Sequence, residues 1–425
     1  MEKTIAVSRW YRLLPVAFIT YSLAYLDRAN FGFGMAGGMA KDLHITSTMS
    51  SLLGSLFFLG YFFFQIPGVY YASRRSARKL IFWSLIGWGL FAMATGLTSN
   101  VKVLIVIRFM LGVVESAVFP AMLLLLSRWF IKAERSRANT FLIFGNPVTI
   151  LWMSILSGYL LNALGWRWMF IWEGLPAIVW AFFWWRLVDD KPKDAVWLTQ
   201  EEKDVLEIEL QKEQQAIKPV KNYRAAFMSP MVLSLCLLYA LWSIGVYGFV
   251  IWLPSIIKAA PGMTIVRTGW LSAVPYLMAI IGMLSASWLS DKTLLRKLFV
   301  WPFLLLGAIT FYCSYAIGQQ HFWLSFTLLC IAGMAMYTPY GPFFAVITEI
   351  LPANVAGGAM ALINSLGALG SFAGSYLVGY LNGRTGNFGT SYIFMAGSLL
   401  LSAILAMLTI KDSPPGNSKS YKLAA

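Results

Sequence analysis

Apolar stretches of about 20 residues recur along the chain and are separated by short polar segments. Six of them precede the charged stretch 189–228, and six follow it. A helix of this length, rising 1.5 Å per residue, crosses a hydrocarbon core of about 30 Å. The pattern therefore predicts an all-α membrane protein. Its twelve predicted transmembrane helices lie near residues 12–36, 49–71, 79–98, 102–126, 138–163, 168–188, 229–257, 268–290, 298–317, 322–348, 355–382 and 389–411.

The two groups of six helices carry a similar short segment. Residues 157–162 (SGYLLN) end the fifth stretch, and residues 378–382 (VGYLN) end the eleventh. These positions correspond if the second half repeats the first in parallel, an architecture in which transporters bind substrate between the halves. The predicted domains are an N-terminal six-helix half at 1–188, a cytoplasmic linker at 189–228, a C-terminal six-helix half at 229–411 and a cytoplasmic tail at 412–425.

Composition and charge support a membrane location. The chain is 59% hydrophobic and only 12% charged, whereas a soluble domain is about 25% charged. Its net charge of +15 comes from basic clusters at 74–79, 128–137 and 292–297, all on one predicted side of the membrane. Basic residues concentrate on the cytoplasmic side, so both termini and the linker are predicted to be cytoplasmic. Membrane orientation thus explains the charge, and no nucleic-acid partner is needed.

Four ionisable residues lie inside predicted transmembrane helices, where each is costly and points to function: Asp27, Arg28, Arg108 and Glu115. Counted from the ends of their helices, Arg28 and Arg108 both lie about 10 Å deep, so they are predicted to bind one anion together. Arg108 and Glu115 are about 10 Å apart along one helix, too far for a tight ion pair.

Buried carboxyl groups that lose and regain a proton could couple transport to a proton gradient, which makes Asp27 and Glu115 candidates. The alternative is that the four charges only neutralise one another and hold helices together. For Glu173, near the start of the sixth stretch, packing at a helix interface is the favoured interpretation. Polar and aromatic residues within the stretches could hydrogen-bond a polyhydroxylated solute or simply pack: Tyr61, Gln65, Asn146, Tyr247, Trp252, Tyr276, Tyr337, Asn364 and Ser365.

The sequence offers no catalytic or metal-binding constellation. It contains no Walker loop, and its two histidines, His44 and His321, cannot form a Ser-His-Asp set. Its three cysteines are interpreted as small apolar residues within helices. The chain is therefore predicted to be neither an enzyme nor a cofactor protein, and its energy source to be an ion gradient or the solute's own gradient.

Several motifs together carry a family resemblance: 25–30 (YLDRAN), 108–120 (RFMLGVVESAVFP), 165–167 (GWR) and 252–254 (WLP). With them the chain resembles the major facilitator superfamily, and within it the anion:cation symporter family of bacterial sugar-acid and tartrate transporters. The resemblance implies two six-helix halves that rock around a central cavity in the inner membrane of a bacterium. It also implies proton-coupled uptake of an organic anion, and we expect a monomer.

The resemblance also implies roles for particular residues. By motif position, Asp27 and Glu115 correspond to proton-coupling acids, and Arg28 and Arg108 to substrate-anion and gating arginines. The implied substrate contacts are hydrogen bonds from Tyr25, Tyr61, Asn146 and Asn364 and ring packing from Phe344.

One loop departs from the superfamily pattern Gly-x-x-x-Asp-Arg-x-Gly-x-Arg. Residues 68–79 (GVYYASRRSARK) contain no acid, whereas the matching loop of the second half keeps Asp291, which is assigned to gating. The leading hypothesis is a proton-linked importer of a small carboxylate such as a sugar acid or hydroxy acid. The alternative is an exporter or exchanger of another solute. Arg28 and Arg108 argue against a hydrophobic cation as that solute, because their positive charges would repel it.

Overall fold

The computed structural model describes residues 7–215, 229–293, 295–350 and 353–410, and these residues contain helices but no strands. In the N-terminal half the long helices are α1 (Ser8–Gly34), α2 (Ser47–Arg74), α3 (Ala77–Leu97), α4 (Val101–Glu115), α5 (Val118–Trp129) and α6 (Lys132–Leu187). A π-helix (Met35–Met39) and a single turn (Ala40–Asp42) follow α1.

A 3₁₀ turn (Pro192–Asp194) and the polar helix α7 (Gln200–Gln215) lead out of the first half. The C-terminal half contains α8 (Pro230–Lys258), α9 (Ile265–Thr293), α10 (Trp301–Ile317), α11 (Phe322–Tyr337), α12 (Tyr340–Ile350), α13 (Ala353–Thr385) and α14 (Gly389–Thr409). Two further 3₁₀ turns, Arg296–Phe299 and Gln319–His321, precede α10 and α11.

The predicted fold class is confirmed. Ten helical segments in the described part of the chain are long and apolar enough to cross a membrane. One of them, Phe141–Leu187, contains two crossings because the chain reverses at Gly165. Gly165 adopts a φ of +78°, which residues with a side chain rarely adopt. Helix α1 makes the twelfth crossing, although Arg9, Arg12 and the YLDRAN motif make it more polar than the others.

Polar side chains begin several of these helices. The Thr46 hydroxyl accepts from the Met49 amide at the start of α2, and the Ser76 hydroxyl accepts from the Lys79 amide at the start of α3. Ser229 caps α8 in the same way. Such caps satisfy amides that have no partner within the helix, so the polar residues between apolar stretches fix where each crossing begins.

Two crossings are interrupted at equivalent places in the two halves. The fourth crossing breaks between α4 and α5 directly after Glu115, and the tenth breaks between α11 and α12 directly after Tyr337. Interrupted helices near the membrane centre commonly form substrate sites in transporters, because the break brings side chains and helix ends to one place. Both breaks lie beside the cavity described below.

The halves contact each other mainly through α1 with α8, α2 with α13, and α6 with α9. We call the side on which α1 begins the terminal side and the opposite side the far side. On the far side Gly158 of α6 lies against Gly269 of α9, where a Cβ added to Gly269 would lie 2.6 Å from the Ser154 carbonyl oxygen. A Cβ added to Gly379 of α13 would lie still closer to the Ser51 hydroxyl of α2. The two similar segments, SGYLLN and VGYLN, therefore place a glycine at this far-side contact.

Candidate functional site: a buried cavity between the halves

A cavity of about 50 Å³ lies between the two halves, on the terminal side of the far-side contact. Most of the side chains around it are almost fully buried. Fifteen residues from both halves line it: Tyr21, Tyr25, Arg28, Tyr61, Phe119, Ile143, Asn146, Pro147, Tyr239, Tyr247, Met283, Tyr337, Tyr340, Phe344 and Asn364.

Arg28 of α1 brings a positive charge to this cavity. Its Nε donates to Glu115 Oε2 at 3.2 Å, and the two side chains are 6% and 0% exposed. Its guanidinium carbon lies 4.8 Å from the ring centre of Tyr25 and 5.0 Å from that of Tyr61. Aromatic faces and a carboxylate stabilise a guanidinium away from water, so Arg28 can remain charged in an apolar membrane site.

Glu115 pairs with Arg28 on a neighbouring helix. The sequence predicts that Arg108, two turns away on α4, is too distant for a tight pair with Glu115, but it did not single out Arg28 as the partner. Glu115 ends α4 where the crossing breaks, and this break positions its carboxylate against α1. An anion entering the cavity would therefore meet a guanidinium that already holds an internal carboxylate.

Arg108 is buried but is not among the residues that line the cavity. Its Nε donates to the Leu53 carbonyl oxygen at 3.2 Å, and its guanidinium carbon lies 4.3 Å from the ring centre of Phe31. In this conformation the two arginines do not share one cavity wall, although both approach the Phe57 ring.

Five predicted substrate-contact residues line the cavity together with Arg28: Tyr25, Tyr61, Asn146, Phe344 and Asn364. The hydroxyls of Tyr25 and Tyr247 hydrogen-bond across the two halves at 2.7 Å. A smaller cavity of about 30 Å³ continues past Arg28, Tyr61 and Asn364. Beside these cavities, Ser365 donates to Gln65 Oε1 at 2.6 Å, a second polar link between the halves.

Sequence reasoning missed several aromatic residues of the wall, among them Tyr21, Phe119, Tyr239 and Tyr340. The available signal was helical spacing. Tyr21 and Tyr25 are four residues apart on α1, and Tyr340 and Phe344 are four apart on α12, so each pair shares a face. Tyr340 and Phe344 stack with ring centres 6.3 Å apart. Many other aromatic residues in this chain face lipid, which hides the signal.

Glu173 lies apart from the cavity, inside the N-terminal half. Its two carboxylate oxygens accept from Asn30 Nδ2 at 2.8 Å and from Ser157 Oγ at 2.7 Å. It therefore joins α1 to both arms of the long helix α6, as expected of a residue that packs at a helix interface.

The side chains of Asp27 and Asp291 lie outside the part of the chain that the structure describes. On the terminal side, two other acids contact the α2–α3 loop, whose sequence contains none. Asp189 pairs with Arg78 at 3.2 Å, while Asp190 pairs with Arg128 at 3.7 Å and accepts from the Ser76 hydroxyl. Burial raises the pKa of Asp189, an effect that Arg78 partly opposes.

Comparison with known proteins agrees with this arrangement. Residues 17–375 and 268–425 match the Major Facilitator Superfamily. The chain belongs to this superfamily. It is accordingly a multi-pass membrane transporter and not an enzyme.

Two relatives and one solved structure show the range of similar proteins. A protein of Agrobacterium vitis that carries the name "Putative tartrate transporter" is 31% identical over 411 residues, covering 95% of this chain and 91% of the relative. A quinolone resistance transporter of Acinetobacter baumannii is 30% identical, covering 96% and 95%. The E. coli xylose transporter XylE in an inward open conformation superposes with a TM-score of 0.76 at 14% identity, over 96% of this chain and 97% of that one.

Proposed function

We propose that this transporter takes up a small organic anion, a sugar acid or another carboxylate, together with protons by alternating access. The observation that carries the proposal is Arg28, whose guanidinium reaches a buried cavity between the halves while pairing with Glu115. A guanidinium binds carboxylate strongly because its planar fork matches the two oxygens. The tartrate transporter among the relatives supports an anionic substrate.

Alternating access follows from where the halves contact each other. Glycine contacts close the far side, and the cavity lies on the terminal side of them. We infer from the basic clusters that the terminal side is cytoplasmic, so this conformation faces inward. In the opposite state the halves would separate at the glycine contacts and expose Arg28 to the outside.

We propose that proton coupling arises from competition for Arg28. A substrate carboxylate that binds this guanidinium takes it from Glu115, and a charged carboxylate left in an apolar site tends to accept a proton. Substrate and proton then travel together, which is symport. Asp27, one residue before Arg28, stays a second proposed proton carrier, and Arg108 a proposed gating residue.

The test is uptake into right-side-out membrane vesicles. Labelled tartrate, D-gluconate and 4-hydroxybenzoate are supplied with the outside more acidic than the inside. We expect at least one carboxylate to accumulate above its external concentration and to leave again when a protonophore collapses the gradient. Failure of all three to accumulate, with the protein present and folded, would contradict proton-coupled anion uptake.

A second candidate function is export, which the quinolone resistance relative favours because it covers nearly the whole chain. The two functions predict opposite directions of net transport. If the chain exports quinolones, cells that produce it would show reduced susceptibility to these drugs, and inverted vesicles would accumulate the drug. Unchanged susceptibility combined with carboxylate accumulation in right-side-out vesicles would reject export.

A further inference from the structure

Aromatic rings form most of the cavity wall. Nine of its fifteen residues are tyrosine or phenylalanine, and they come from both halves. In the C-terminal half, Tyr239 and Tyr340 flank Phe344, and their ring centres lie 5.7 and 6.3 Å from that of Phe344. A flat ring can stack against such a wall or meet it edge to face, whereas an acyclic hydroxy acid has no flat face to offer.

Several tyrosines of this wall already have neighbours within the protein. The hydroxyls of Tyr25 and Tyr247 are hydrogen-bonded, the ring centres of Tyr239 and Tyr340 lie 6.3 Å apart, and the Tyr61 ring lies 5.0 Å from the Arg28 guanidinium carbon. A solute with a hydroxyl on every carbon would need a partner for each hydroxyl, since unpaired buried hydroxyls weaken binding. The wall offers hydroxyls at the edges of its seven tyrosine rings, whereas most of its surface is aromatic.

Two polar groups stand out as anchors for a ligand. Arg28 uses Nε for Glu115, and its two terminal NH₂ groups carry four further N–H donors. Asn146 Oδ1 is buried and accepts no hydrogen bond from the described residues. The first group suits a carboxylate, and the second suits a hydroxyl or amino donor.

We propose that the cavity binds a small planar aromatic carboxylate with a hydroxyl or amino substituent, of the hydroxybenzoate class. This inference rests on the proposed anion transport and names its substrate class. The carboxylate pairs with Arg28, the ring packs against Phe344 and the tyrosines, and the substituent donates to Asn146.

Four probes test the inference, two of which differ from 4-hydroxybenzoate by one feature each, with binding to the purified protein measured by calorimetry. 4-Hydroxybenzoate has the ring, the anion and the donor. 4-Hydroxycyclohexanecarboxylate lacks only the aromatic ring, 4-hydroxybenzamide lacks only the anion, and D-gluconate is an acyclic hydroxy acid. We expect 4-hydroxybenzoate to bind at least about tenfold more tightly than each of the others.

The outcomes separate this inference from the function on which it rests. If D-gluconate or the saturated acid binds as tightly as 4-hydroxybenzoate, the aromatic class is wrong and anion transport stands. If the uncharged benzamide binds as tightly, the anion site itself is wrong. If folded protein binds none of the four, the hydroxybenzoate class is rejected, and the vesicle experiment decides the wider function.

Two variants locate the binding site. Phe344→Leu should weaken 4-hydroxybenzoate binding about fivefold through loss of ring packing. Phe372→Leu, on α13 and not among the cavity-lining residues, is the matched control. Asn146→Leu should abolish the preference for 4-hydroxybenzoate over benzoate. Equal effects of the two phenylalanine variants, or an unchanged preference in Asn146→Leu, would overturn the proposed orientation of the ligand.

Discussion

The two halves share one fold but differ in what they bury. The C-terminal half lines the cavity with four tyrosines, Phe344, Met283 and Asn364, none of them charged at neutral pH. The N-terminal half adds aromatic residues too, but it also supplies the cavity's guanidinium. Among the described residues, the buried acidic and basic side chains of the N-terminal half are Arg9, Arg28, Arg108, Glu115 and Glu173, against Arg296 in the C-terminal half.

This difference suggests a division of roles. Charges are costly in a membrane, so the N-terminal half pairs them between helices, as in Arg28 with Glu115 and Arg9 with Glu134. Such pairs can exchange a partner for a substrate or a proton. The uncharged aromatic wall of the other half cannot do so, and we expect it to contact the body of the substrate instead.

The largest effect is expected at Glu115. Glu115→Gln keeps the shape of the side chain but removes the proton-carrying group, so accumulation driven by a pH gradient should be abolished. Exchange of labelled for unlabelled carboxylate should persist, because exchange needs no net proton movement. Glu209→Gln, on the exposed helix α7, is the control. Uphill accumulation at the normal level in Glu115→Gln would show that coupling lies elsewhere, with Asp27→Asn the next variant to examine.

Arg28 should give the next largest effect. Arg28→Gln removes a charged hydrogen bond worth about 1.5–3 kcal/mol, so carboxylate affinity should fall by about 10- to 150-fold. Arg28→Lys keeps the charge and should lose less affinity. Arg384→Gln, at the exposed end of α13, controls for general loss of positive charge. If calorimetry shows unchanged affinity in Arg28→Gln, Arg28 does not bind the substrate carboxylate.

The glycine contact between the halves should affect rate more than affinity. Gly269→Val places atoms against the Ser154 carbonyl of the other half, which hinders closure of the far side. Uptake should fall about tenfold, while carboxylate binding changes little, because one state of the cycle loses population. Gly397→Val is the control, since nothing lies within 4 Å of a Cβ there. Equal losses in both variants would point to misfolding rather than to closure.

The smallest effect is expected at Asp190. Asp190→Asn weakens the contacts to Arg128 and to the α2–α3 loop on the terminal side, far from the cavity wall. Vesicle uptake should slow about threefold with affinity unchanged, because exposed ion pairs are individually weak. The predicted gating residue Asp291 should behave similarly as Asp291→Asn. Loss of substrate binding in either variant would place these acids in the site instead.

Much of the fold was predictable because the membrane imposes one physical rule. Each crossing needs an apolar helix of fixed length, so the apolar stretches identify the helices, including both arms of α6 around Gly165. The charged motif residues were visible for the same reason, since an ionisable residue in an apolar stretch is conspicuous. Arg28 and Asn146 were singled out as polar residues in apolar stretches and Phe344 only by family resemblance, and all three line the cavity.

Contacts between helices were not predictable from the sequence. The pairing of Arg28 with Glu115 depends on how α1 packs against α4, which no spacing within one helix can reveal. Tyr239 could not be distinguished from lipid-facing rings, because aromatic residues on either face look alike in an apolar run. Asp189 and Asp190 contact Arg78, beside the acid-free α2–α3 loop, although they lie 111 and 112 residues further along the chain. Only the tertiary structure brings these residues together.

We propose that a substrate carboxylate takes Arg28 from Glu115, which then accepts a proton. Calorimetry of carboxylate binding in two buffers of different ionisation enthalpy measures the protons taken up for each anion bound. We expect proton uptake by the unaltered protein and its loss in Glu115→Gln, with binding retained in both. Equal proton uptake by the two proteins would show that Glu115 is not the group that accepts the proton.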